Sequence, residues 1–169
     1  IPHIYSREDS QSILKAIRML KASALSPLRP HTYSALFLLL YTTGMRISEA
    51  LKLRINDIDF ENQALLIRET KFFKSRLVPL SSGMMKELED YLQLRIKVRI
   101  PTMPESPVFQ NPHRKGHYSK SAVQTTFSKI LRRIGIQKME GHRPLCIHGL
   151  RHSMATHRLE LWYKDGEGI

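Results

Sequence analysis

A single cysteine, Cys146, among 169 residues excludes a disulfide framework within the chain. No apolar stretch approaches the roughly 18 residues that a membrane-spanning helix needs. The longest run, ALFLLLY at 35–41, suits a buried helix instead. No signal-peptide pattern is visible, and no internal repeat or low-complexity tract interrupts the chain. These absences lead us to expect one domain in a reducing, intracellular, cytoplasmic setting. Apolar residues still make up 41% of the chain, enough for an ordinary core, so disorder is not the expectation.

Another absence is local. From Ser106 to Met139 there is no Asp or Glu, while Arg114, Lys115, Lys120, Lys129, Arg132, Arg133 and Lys138 all fall in that stretch. Over the whole chain 27 Lys and Arg stand against 15 acidic residues, a net charge of +12. Such a balance points to a polyanionic partner, with nucleic acid the first candidate and a simply basic or ribosome-associated protein the alternative. Concentration of one sign in one stretch favours a binding face.

Periodicity predicts a mainly helical domain with a small antiparallel sheet, an α+β fold. Ser6 and the acidic pair after it cap a helix over roughly 7–22, with Ile13, Leu14, Ile17 and Leu20 on one face. SPLRPHT reads as a connection, and Tyr33, Leu36, Phe37, Leu40 and Tyr41 form the stripe of a buried helix that Gly44 ends. A further helix turns Ile47, Ala50 and Leu51 inward. INDIDFENQALLIRE reads as a turn and a β-rich run, and 64–80 as two strands joined through TKFFKS. Ser81 or Ser82 caps the helix bearing Met84, Met85, Leu88, Tyr91 and Leu92. Residues 100–118, with four of the nine prolines, form an ordered loop; a helix from about Ser119 to Gly135 and a last one from His148 complete the chain.

Two short stretches invite a chemical reading. TGMRISEA at 43–50 puts Arg46 at the head of a helix, and HGLRH at 148–152 does the same for Arg151. His148 and His152 are four apart, which is zinc-ligand spacing, but the helix lacks the glutamate of an HExxH site and only Cys146 could be drafted as a third ligand. Two core histidines with a surface arginine are the plainer alternative. A phosphate reading uses more of the pattern. Arginine grips phosphate with a planar fork and stays charged, lysine can protonate a leaving alkoxide, and histidine moves protons near neutral pH. Arg46, His148 and Arg151, with Lys71 and Lys74 between the strands, would make a site for phosphoryl transfer without metal or other cofactor.

The same stretches carry a resemblance. TTGMRISEALKLRINDID resembles the first arginine motif of the tyrosine recombinases, the phage integrase family. TKFFKSRLVPL is similar to that family's β-hairpin segment, and HGLRHSMATH to its H-x-L-R-H box. IPHIYSRED resembles the start of the family's catalytic domain, and HRLELWY leans toward transposon-type integrases. The resemblance covers nearly all of residues 1–169 and implies the family's catalytic domain, incomplete at its C-terminus and lacking the N-terminal DNA-clamping domain.

By that resemblance Arg46 and Arg151 clamp the scissile phosphate, His148 stands beside it, and Lys71 protonates the leaving 5′-oxygen. Glu49 orients the site and His152 packs or hydrogen-bonds in support. Lys74, unless its role is exchanged with that of Lys71, contacts the DNA backbone, as do Arg76, Arg114, Lys115 and Lys120. The implied activity is site-specific recombination or integration of double-stranded DNA through a 3′-phosphotyrosyl intermediate, by a homotetramer of the full-length protein acting on nucleoid DNA. A topoisomerase-like nicking-closing enzyme and a catalytically inactive DNA-binding module are the alternatives. The family's LGH-type box and tyrosine-bearing helix have no counterpart here. Tyr163 follows Arg151 by twelve residues, about 18 Å along a helix axis. The chain as it stands is therefore expected to clamp DNA without cutting it.

Overall fold

The computed structural model describes residues 3–68, 75–113, 116–137 and 144–164. Helix α1 spans Arg7–Arg18 and opens with a reciprocal cap: Asp9 N–H donates to Ser6 Oγ at 3.0 Å and Ser6 N–H to Asp9 Oδ2 at 3.1 Å. It buries Ile13 and Ile17 but stops four residues short of the expected end, because Ser23 and Ser26 exchange backbone hydrogen bonds and fold the chain back. Helix α2, Arg29–Thr43, begins inside the expected connection. Pro30 occupies its first turn, where a missing N–H costs nothing. The helix buries residues around most of its circumference, and α1, α4 and α6 all pack on it. Gly44, at φ 61°, ends it in the left-handed region.

Helix α3 is short, Ile47–Lys52, and buries Ala50 and Leu51. After a 3-10 turn at Ile55–Asp57, strands β1 (Ile58–Asp59), β2 (Ala64–Ile67) and β3 (Arg76–Pro79) form an antiparallel sheet in chain order. The pair β2–β3 was expected. Strand β1 was not, since two residues carry no alternation that could distinguish them from a turn. Register pairs Ile58 with Leu65 and Ile67 with Arg76.

Helix α4, Ser82–Lys97, is capped by Ser81 and buries Met84, Met85, Leu88, Tyr91 and Leu92. It also buries Arg95 completely, which the helical pattern did not announce. That guanidinium donates to the carbonyls of Pro107 (2.7 Å), Val108 (2.8 Å) and Pro101, and to Gln110 Oε1 (3.2 Å). The proline-rich loop is thus ordered by a buried cation that satisfies its carbonyls. Ser119 caps α5, Lys120–Arg133, which buries Val123, Phe127, Ile130 and Leu131. Helix α6 runs His148–Lys164. In the core Phe127 stacks on Phe37 at 5.2 Å and meets Tyr5 edge-on at 5.9 Å. No helix among the described residues is long and apolar enough to cross a membrane.

Candidate active site

The end of α2 and the start of α6 build the site together. A Cβ at Gly44 would collide with the terminal methyl of Met154 and approach Cγ of Arg151 to 3.9 Å, so the bare backbone lets α6 lie close. Arg151 Nη1 donates to the Gly44 carbonyl at 2.6 Å. One of its five donors therefore anchors the side chain two residues from Arg46, although 105 positions separate the two arginines.

Arg46 is the N-cap of α3, in extended conformation at φ −73°, ψ 144°. Its backbone N–H donates to Glu49 Oε2 at 2.9 Å, and Glu49 N–H returns a bond to the Arg46 carbonyl at 3.0 Å. The side chains also meet, Arg46 Nη1 to Glu49 Oε1 at 3.1 Å. Arg76, expected at the DNA backbone, turns both terminal nitrogens to the same carboxylate, Nη1 to Oε1 at 3.2 Å and Nη2 to Oε2 at 2.8 Å. Burial alone would raise the Glu49 pKa; the bonds from Arg76 and Arg46 outweigh it and hold the carboxyl below its ordinary range.

Several contacts fix the start of α6. Ile147 N–H donates to Gln124 Oε1 of α5 at 3.1 Å, and Tyr5 OH to the Cys146 carbonyl at 3.2 Å. Tyr5 N–H donates to Ser153 Oγ at 2.8 Å, and a Cβ at Gly149 would come within 2.7 Å of the Tyr5 ring. His148, exposed at the head of α6, meets His152 edge-on at 4.7 Å. Its pKa is lowered, first by partial desolvation of the ring and then by the positive fields of His152, Arg151, Arg46 and Lys120. That field places Lys120, at the head of α5, within electrostatic reach of the site. His148 is accordingly a neutral imidazole at neutral pH, able to accept a proton or, as one tautomer, to donate a hydrogen bond.

Arg46, Glu49, Arg76, Lys120, His148, Arg151 and His152 thus belong to one neighbourhood. Lys71, Lys74, Arg114 and Lys115 lie outside the described residues. Among the described residues no three His, Cys, Asp or Glu cluster to hold a metal ion. Of the six tyrosines, Tyr5, Tyr33, Tyr91 and Tyr118 are buried, Tyr41 binds His157 Nδ1 at 2.9 Å, and Tyr163 lies exposed far along α6. The sequence reading missed the Glu49–Arg76 pair and the Gly44 carbonyl as the seat of Arg151. The first lay hidden because strand register, unreadable from RLVPL alone, carries Arg76 to Glu49. The second had a signal, the Thr-Gly that precedes the first arginine.

A mainly helical domain with a three-stranded sheet, in which the arginines heading α3 and α6 converge, defines the class. Residues 7–161 match the Phage integrase family, and the chain belongs to it. It is 36% identical over 165 residues to a putative integrase/recombinase, y4rB, of Sinorhizobium fredii, covering 96% of this chain and 52% of that protein. It is 35% identical over 125 residues to tyrosine recombinase XerA of Pyrococcus horikoshii, covering 74% of this chain and 40% of that protein. The chain therefore spans about half the length of such relatives, or less. Among solved structures, XerH site-specific recombinase bound to difH substrate superposes with a TM-score of 0.74 at 26% identity, over 96% of this chain and 44% of that one. XerA recombinase gives the same TM-score at 24% identity, over 95% of this chain and 51% of that one, a likeness of fold.

Proposed function

We propose that residues 1–169 belong to the catalytic domain of a site-specific tyrosine recombinase or integrase acting on double-stranded DNA. The observation that carries this is the bond from Arg151 to Gly44, which brings the second arginine beside Arg46, with His148 in the field of both. Two guanidinia there can hold the non-bridging oxygens of one phosphodiester and stabilise the charge that develops as it is attacked. Neutral His148 accepts a proton or hydrogen-bonds the phosphate, and Lys71 protonates the departing 5′-oxygen. Attack by a tyrosine hydroxyl forms a bond to the 3′-phosphate and releases the 5′-hydroxyl. A partner strand's 5′-hydroxyl then reverses the step. The covalent link stores the energy of the broken bond, so no nucleotide triphosphate is consumed. Glu49 and His152 support the site, and Lys74, Lys120, Arg114 and Lys115 contact the DNA backbone. The working assembly is a homotetramer on DNA.

Burial of Tyr5, Tyr33, Tyr91 and Tyr118, the bond of Tyr41 to His157 and the twelve residues between Arg151 and Tyr163 argue against each as the nucleophile, which is assigned to none of them. The test is a suicide substrate, nicked beside the cleavage position, incubated with the full-length gene product. A denaturant-resistant protein–DNA band is expected. Arg46→Ala or Arg151→Ala should slow its formation by orders of magnitude, since a clamp on transition-state charge contributes about 3–4 kcal/mol. An adduct that maps to Tyr163 would overturn the assignment of the nucleophile, and no adduct with cognate DNA would overturn the enzyme.

A further inference from the structure

Glu49 is held more completely than a helix-capping residue requires. A carboxylate offers about four acceptor sites. Here Oε1 takes Nη1 of Arg46 and Nη1 of Arg76, while Oε2 takes the Arg46 backbone N–H and Nη2 of Arg76. Only 8% of the Glu49 side chain is exposed, against 42% for Arg46 and 38% for Arg76. The three groups together carry two positive charges and one negative, so the cluster retains a net positive charge facing outward.

We propose that Arg76 is a positioning residue for the phosphate clamp: by filling Glu49's acceptor sites it keeps the Arg46 fork from closing on Glu49 and so reserves that fork for DNA. The geometry gives the reason. An arginine alone with a carboxylate prefers the bidentate arrangement, two parallel N–H···O bonds. Arg46 makes only one side-chain bond to Glu49, because Arg76 has taken the bidentate position on both oxygens. Without Arg76, two acceptor sites open beside Arg46. The fork then gains a second bond to an ionised, nearly buried carboxylate, and its charge is spent inside the protein. Because Arg76 begins β3, the same contact ties β3 to the head of α3.

This role differs from that of a DNA-backbone contact, and it rests on the recombinase reading above. It makes a prediction of sign. Arg76→Ala in the full-length gene product should lower the single-turnover rate of adduct formation at saturating DNA by roughly 10- to 100-fold, as small misplacements of a reacting group do. DNA affinity should fall by no more than the loss of the single Arg46 phosphate contact brings. Adding Glu49→Gln removes the charge that captures Arg46 while keeping an oxygen for the Arg46 backbone N–H. The double variant should therefore react faster than Arg76→Ala alone. A backbone contact would behave otherwise: the rate at saturating DNA would hold, and only affinity would fall. A purely architectural role would make the double variant slower than either single one. Either result overturns the proposal. Arg76→Gln, which keeps the length of the side chain but not the fork, serves if the alanine variant does not fold, and the same order of rates is expected. A wild-type protein that forms no adduct refutes the recombinase reading and this inference together, whereas an active wild type with an unimpaired Arg76 variant refutes the inference alone.

Discussion

At the scale of single residues, His148 reports the electrostatics of the site. It heads α6 with His152 against its ring and the charges of Arg151, Arg46 and Lys120 around it. Partial desolvation and then these charges disfavour the imidazolium, so the folded pKa lies below 6.5. The folded protein then binds fewer protons than the unfolded chain between that value and 6.5. Stability should rise with pH through this window and, as far as His148 is concerned, level off above it. An NMR titration of the imidazole carbons should show a midpoint below 6.5, moving upward in Arg151→Ala as one repelling charge is removed. A midpoint at or above the ordinary value would mean that neither desolvation nor the neighbouring charges act on the ring as described, and a midpoint unmoved in Arg151→Ala would mean that this arginine does not reach it. DNA phosphate would act in the opposite direction, raising the pKa on binding, so the same titration on the complex reports whether phosphate enters.

At the scale of elements, the site depends on how closely the head of α6 approaches the tail of α2. Gly44 permits this twice over, by adopting φ 61° and by leaving room for Met154. Gly44→Ala should cost about 1–2 kcal/mol from the left-handed backbone alone, read from urea unfolding. Its effect on cleavage should exceed that stability loss, because Arg151 is seated on the Gly44 carbonyl. A second element-scale prediction concerns the loop after α4. Arg95→Ala would orphan three carbonyls and leave a cavity in place of a buried side chain. Destabilisation of about 3 kcal/mol or more is expected. Urea unfolding with a change below about 1 kcal/mol would show that the loop holds itself without the cation.

At the scale of the whole molecule, the net charge of +12 sets the response to salt. The exposed Lys120, Lys129, Arg132 and Arg133 of α5 share one helix with no acidic residue, and Lys120 connects it to the site. If about six phosphates are contacted, the logarithm of the DNA-binding constant should fall with a slope of roughly −5 against the logarithm of salt concentration. A slope near zero would remove nucleic acid as the partner. Substituting Lys129, Arg132 and Arg133 together should flatten the slope while sparing the His148 titration, since none of the three is among the charges that shift it.

The boundaries between sequence and structure follow from the range of the forces involved. Helix spacing, serine caps and the Gly44 stop are local: Ser6 and Ser119 cap at the expected helix starts, and of Ser81 and Ser82 it is Ser81 that caps α4. The α+β class and the two arginine motifs were legible for the same reason, since each is written in fewer than about twenty consecutive residues. What was not legible was pairwise and distant. Strand β1 exists only because β2 lies beside it, and Arg95 became a buried cation only because the carbonyls of Pro101, Pro107 and Val108 close over it. Strand register sets the fork of Arg76 on Glu49, a contact that RLVPL alone does not announce. The sequence by itself determined which residues carry charge and which heads of helices they occupy; the tertiary structure decided which of those charges share an acceptor, because hydrogen bonds reach about 3 Å and only the packed chain sets what lies within that distance.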